Sequence, residues 1–174
     1  ERERERPRQT TPAAQAKRLN ASLHPPLAET WRLPGLKRVV YVSSLTTIGR
    51  PHGCDDPLSD APTPAAARLP NESDRYDKPR ASSPYFAMKD AMEAAATRAA
   101  VEGLPLVIGN PSLCVDAWDA APTTGKLLLA IARREAPVYL PGRMNVVATR
   151  DVGAALVHAA ALGRTGQRYI LANE

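Results

Sequence analysis

The stretch SSPYFAMKDAMEAAA, residues 82–96, sets Tyr85 and Lys89 four positions apart at the head of an alanine-rich run. A free phenol ionises near pH ~10, and an ammonium beside it favours the phenolate and lowers that value. Such a pair can exchange a proton with a substrate oxygen near neutral pH. Two other groups of polar residues follow short apolar runs. Ser43, Ser44, Thr46 and Thr47 come after VVYV, and Asn110, Pro111 and Ser112 come after LVIG. Hydroxyls in such places can donate to a substrate oxygen, and they also commonly cap turns. A tyrosine beside a solvated lysine at a helix start is equally ordinary. Residue type and spacing leave both readings open.

The elements that must hold these groups are readable. From Pro84 to Glu102 there is one proline, at the start, and no glycine, and Gly103 follows. Proline in the first turn and glycine just past the end predict a helix, on which Tyr85 and Lys89 are neighbours on one face. Met88, Met92, Ala95 and Ala99 recur at helical spacing and predict a core face, with Asp90, Glu93 and Thr97 on the other side. Val39, Val40, Tyr41 and Val42 predict a buried strand of a parallel sheet over 38–43. Leu104 to Ile108 predict a second, with Pro105 tolerable near its start, ending in a loop from Gly109 to Ser112. Open α/β sheets hold ligands at the carboxyl ends of their strands. The rest of the chain predicts a short helix at 26–33 and a helix in TTGKLLLAIARRE capped by Thr123 or Thr124. Short strands near 137–140 and 144–147 precede a helix over 151–162, stopped by Gly163, and GQRYILANE closes the chain as a strand. Residues 50–84 carry seven prolines and predict a long loop rimming the site.

Strand-Ser-Ser, then Tyr-x-x-x-Lys opening a helix, then strand-Asn-Pro-Ser resembles the extended short-chain dehydrogenase/reductase superfamily. The order is similar to its NAD-dependent epimerase/dehydratase family, and Asn-Pro-Ser to the dihydroflavonol-reductase-like members. The resemblance runs from about Ala28 to Glu174 and implies an α/β fold with a Rossmann-like, doubly wound parallel sheet, here partial, over 21–174. It implies that Tyr85 is the catalytic acid/base and that Lys89 holds the cofactor ribose and tunes the phenol. Ser44, placed by its distance from Gly49, would bind the substrate oxygen with Tyr85, Thr46 being an auxiliary candidate. Asn110, Pro111 and Ser112 would border the nicotinamide. Glu93 matches an acidic position common four residues after the lysine, and Asp151-Val152 also fits. The implied cofactor is NAD or NADP, and the implied partner a small molecule with a carbonyl or hydroxyl. The implied reaction is hydride transfer coupled to proton transfer, in which the protein positions and the cofactor carries the hydride.

The chain also departs from that pattern. Dinucleotide-binding folds begin with a strand and a Gly-rich turn that lets backbone approach the pyrophosphate. Here ten glycines are scattered singly, and Gly163 and Gly166 read as a helix stop and a turn. Family-like text begins near LAETWRLPGLKR. Before it, ERERERPRQTTPAAQ is too short to hold a helix and is broken by Pro7 and Pro12, so residues 1–20 read as a disordered charged tail. No apolar stretch of signal-peptide type follows it. The chain therefore reads as the middle of a longer enzyme, impaired alone, and a non-catalytic Rossmann-derived binding or regulatory module, or a degenerate fragment, is the rival. Met88 before the lysine, Ala148-Thr149 before Arg150-Asp151, and Gly109 differ from common family residues and bear on pocket shape.

Composition narrows the classes. The chain has 174 residues, 44% hydrophobic but with one phenylalanine and two tryptophans, and a net charge of +5. That length suffices for one domain with a core. No run of eighteen apolar residues predicts a membrane span. The arginines are scattered without interleaved aromatics, which argues against a nucleic-acid surface. Cys54 and Cys114 stand in no metal spacing, and His24, His52 and His158 do not cluster, so no metal site is expected. Two thiols in such a chain predict a reducing, cytoplasmic setting. A sheet lacking its first strands would expose an edge, and such edges invite self-association.

Overall fold

The computed structural model describes residues 34–49, 69–76, 84–117, 125–135 and 144–173. The expected tail at 1–20, helix at 26–33, Thr123 or Thr124 cap and strand at 137–140 lie outside the described residues. So do most of the 50–84 loop, His24, His52 and Cys54. The elements in chain order are β1 (Val39–Val42), a 3-10 turn (Leu45–Thr47), α1 (Pro84–Val101), β2 (Leu106–Pro111) and β3 (Leu113–Val115). Then come α2 (Gly125–Ala132), β4 (Val146–Ala148), α3 (Thr149–Leu162) and β5 (Arg168–Leu171). β1, β2 and β5 form a parallel sheet in that order, with Val39 opposite Leu106 and Ile108 opposite Arg168. β3 and β4 make a second, two-stranded parallel sheet.

Side chains alternate across a strand, and β2 shows what each face meets. Leu106 and Ile108 pack with Ala96, Ala99 and Ala100 of α1. On the other face, Val107 lies beside Gly163 at the end of α3, and a methyl group at Gly109 would come within 2.5 Å of Leu156 of α3. The two helices therefore cover opposite faces, the doubly wound α/β arrangement. The small residues on both sides let each helix approach the sheet closely. Gly109 is the floor under Leu156. Gly103, with φ at +108°, ends α1, and Arg38 beside β1 donates to the Ala160 carbonyl and to Thr165, holding the carboxyl end of α3.

Three expectations need correction. β2 does not end at Ile108 but runs through Pro111, because β5 pairs with Gly109, Asn110 and Pro111. Proline is tolerated there for a stated reason. The amides of Ile108 and Ser112 point to β5, donating to the Gln167 and Leu171 carbonyls, so residue 111 faces the β1 side, beyond the Val42–Gly109 pairing that ends β1. β3 is a strand the sequence did not suggest, created by its pairing with β4. Finally, Glu93 is not on a solvated face of α1. It is 5% exposed, while Met88 and Met92 are only partly buried. Its compensation comes from residues distant in sequence, described below. Among the described residues the outer edge of β1 has no strand partner.

Candidate active site

At the carboxyl end of β1 the chain turns abruptly. Ser44 is extended, and its Oγ accepts from the Thr46 amide at 3.2 Å and the Thr46 hydroxyl at 3.0 Å, capping the 3-10 turn. Having accepted twice, the Ser44 hydroxyl retains its own proton for another acceptor. The turn packs against α1, the helix whose first two turns carry Tyr85 and Lys89. Tyr85 is 48% exposed. Its ring meets Phe86 edge-on at 5.8 Å, and the Lys89 ammonium stands 5.9 Å from its centroid. The fold thus brings the serine turn and the Tyr-Lys helix against one another at one end of the sheet, with the phenol reachable from solvent.

Beneath this surface lies a closed polar cluster. Ser43, Thr47, Glu93, Asn110 and Arg168 are all buried. The Ser43 and Thr47 hydroxyls and the Asn110 amide all donate to one oxygen of Glu93, at 2.5, 2.6 and 2.6 Å. Arg168 donates to the other oxygen at 3.0 Å. The remaining guanidinium hydrogens go to the Thr47, Glu72 and Asp74 carbonyls. An isolated buried carboxylate is very costly; three neutral donors and one cation offset that cost. The same cluster fixes the 71–75 segment. Gly49 donates to the Asp74 carbonyl, and a methyl group at Gly49 would overlap the Arg75 backbone at 2.3 Å. The Glu72 carboxylate accepts the Ile170 amide along β5.

The sequence-predicted residues divide accordingly. Tyr85 is exposed, and Ser44, Thr46 and Lys89 are half-buried. Asn110 is fully buried, its amide nitrogen shared among Glu93, Thr47 and the Ser44 carbonyl. Pro111 is buried in β2, and Ser112 donates to Asn145, whose amide reaches the Asn173 carbonyl. Sequence reasoning missed Arg168 altogether, since an arginine opening an edge strand carries no local signal. Asp116 is another such residue. It accepts the amides of Arg150 and Ala117, and these hold its carboxyl below the usual range while it caps α3. Among the described residues no three His, Cys, Asp or Glu are placed to hold a metal ion, and no helix is long and apolar enough to cross a membrane.

Tyr41 points into the same interior. Burial, and then the Glu93 charge, push its phenol up to about 12 from an ordinary 10.0. Its hydroxyl has no partner among the described residues. The unfolded chain therefore releases this proton at lower pH than the folded one. Stability from the neutral phenol is complete below pH 10 and lost as pH rises toward 12. Tyr41→Phe is expected to cost little at pH 7 and to flatten the alkaline fall in urea midpoint between pH 10 and 12. An unchanged slope would remove Tyr41 from that transition.

No family model matches the chain. It is 32% identical over 145 residues to a Synechocystis sp. protein described as "Putative dihydroflavonol 4-reductase", covering 80% of this chain and 38% of that one. The fold superposes on a nucleoside-diphosphate-sugar epimerase from Pseudomonas aeruginosa with a TM-score of 0.73 and 29% identity, over 92% of this chain and 49% of that one. A dTDP-glucose 4,6-dehydratase from Bacillus anthracis, solved with NAD, shares the fold at a TM-score of 0.55 and 17% identity, over 88% of this chain and 44% of that one. The chain thus spans about two-fifths of the curated relative and about half of these structures. With the parallel doubly wound sheet, the serine turn and the Tyr-Lys helix in place, the chain belongs to the NAD-dependent epimerase/dehydratase family of the extended short-chain dehydrogenase/reductase superfamily.

Proposed function

We propose that residues Ser44, Tyr85 and Lys89 form a hydride- and proton-transfer site for a small molecule bearing a carbonyl or hydroxyl, with NAD or NADP as cofactor. The observation that carries this reading is the capped serine turn packed on the helix that presents Tyr85 and Lys89. Ser44 holds a free proton for a substrate oxygen. Tyr85 donates to, or accepts from, that same oxygen, and Lys89 sets an ammonium beside the phenol. Thr46 orients Ser44 through its hydroxyl. When bound, the nicotinamide supplies or takes the hydride.

The donors present suit the ribose and nicotinamide end of that cofactor. Lys89 and Tyr85 would meet the ribose hydroxyls, and Pro111 and Ser112 would border the ring. Asn110 would act by bracing the strand end, since its side chain is turned into the buried cluster. The pyrophosphate end is different: the chain carries no Gly-rich turn, so this chain alone binds the dinucleotide weakly. Calorimetric titration of monomeric 1–174 with NAD⁺, NADH, NADP⁺ and NADPH is expected to give no binding in the micromolar range. Micromolar or tighter binding of any one overturns the impairment.

A further inference from the structure

We propose that Glu93 is the positioning residue of the serine turn, and that its pair with Arg168 ties that turn to the 71–75 segment beside it. The inference rests on the reading of Ser44 as a substrate-binding residue. Three of the four donors on Glu93 come from the stretch that determines where Ser44 sits. Ser43 precedes it, Thr47 closes the turn it caps, and Asn110 also donates to the Ser44 carbonyl at 3.1 Å. Thr47 stands between the two, its one hydroxyl hydrogen within reach of both the Ser44 carbonyl, at 2.7 Å, and Glu93, at 2.6 Å. Glu93 lies on α1, two turns after Tyr85. One rigid helix therefore carries the phenol in its exposed first turn and, buried at its middle, the carboxylate that places the serine. A single buried side chain sets the distance between two groups that must share one substrate oxygen. Arg168 extends the hold by taking the carbonyls of Glu72, Asp74 and Thr47 together.

The test needs no cofactor or substrate. Amide hydrogen exchange, read residue by residue by NMR on the 1–174 chain, reports the turn through Thr47, Ile48 and Gly49, whose amides bond to Ser44, Leu45 and Asp74. Leu104 and Gly163, bonded to Ala99 and Ala159, are remote controls. Losing a hydrogen bond to a charged acceptor should speed exchange of the turn amides by roughly tenfold or more. That is expected in Glu93→Gln, which cannot accept on both oxygens, and in Ser43→Ala. The controls should stay unchanged, and Thr47→Ser, which keeps its hydroxyl, should behave as the parent. Ser43→Ala leaves the ion pair intact and decides the matter if Glu93→Gln does not fold. Equal acceleration at turn and controls, or none at the turn, overturns the inference. Failure of the redox reading would show instead as absent turnover with the exchange pattern intact.

Discussion

Tyr85→Phe will lower carbonyl reduction by about 10²–10⁴-fold, the usual worth of a general acid, with little change in stability. The measurement needs a protein that binds the dinucleotide. A chimera meets that need, with this chain replacing the 145 aligned residues of the Synechocystis relative. The substitution removes one hydroxyl from a ring that is half exposed and leaves its edge contact with Phe86. Urea unfolding should therefore shift by no more than about 0.5 kcal/mol, as for surface changes generally. Loss of rate with stability retained separates lost proton transfer from lost folding. The Michaelis constant for the nicotinamide should move little if Lys89 carries most of the proposed hold on the ribose. A Tyr85→Phe chimera that turns over at the parental rate removes Tyr85 from the chemistry, whatever its place on the helix.

What the sequence could disclose was local, and what it could not was long-range. The helix over Pro84–Val101 was written in its own proline, its glycine and its uninterrupted run. β1 was written in four consecutive apolar residues, and Ser44 in the turn that follows. Each depends on neighbours within a few positions. Glu93 was assigned to the wrong side because helical periodicity compares only residues of the same helix. The partner that permits its burial, Arg168, is 75 positions away. The extension of β2 through Pro111 failed for the same reason. A proline after Gly-Asn reads as a turn until β5, some 60 residues later, is known to pair with it on the side where its missing donor is irrelevant. Ser44, Tyr85 and Lys89 could be proposed from the sequence because their spacing is short. The cluster that braces them could not, because it is assembled by the sheet.

That cluster makes the second large prediction, which concerns stability. Arg168→Met keeps most of the side-chain volume and removes the only cation within salt-bridge reach of Glu93 among the described residues. Both members of the pair are nearly inaccessible, 4% and 5% exposed, so water cannot replace what is lost. The carboxylate keeps three neutral donors, but one oxygen is left without a partner, and the carbonyls of Glu72, Asp74 and Thr47 lose the guanidinium, Glu72 and Asp74 keeping Arg75 and Asp74 also the Gly49 amide. Breaking one side of a buried ion pair typically costs about 3–5 kcal/mol, a large share of the roughly 5–15 kcal/mol that holds a domain. The urea midpoint of Arg168→Met should fall accordingly, and residues 71–75 should become accessible to protease before the sheet does. Arg164→Met is the control, an exposed arginine four residues earlier, where the change should stay near 0.5 kcal/mol. Replacing both partners, as Glu93→Leu with Arg168→Met, should cost less than the sum of the single changes. It should not restore the parent, since Ser43, Thr47 and Asn110 would still point at a site with no acceptor. If Arg168→Met unfolds at the same urea concentration as Arg164→Met, the pair is not what holds the serine turn and the 71–75 segment to the sheet.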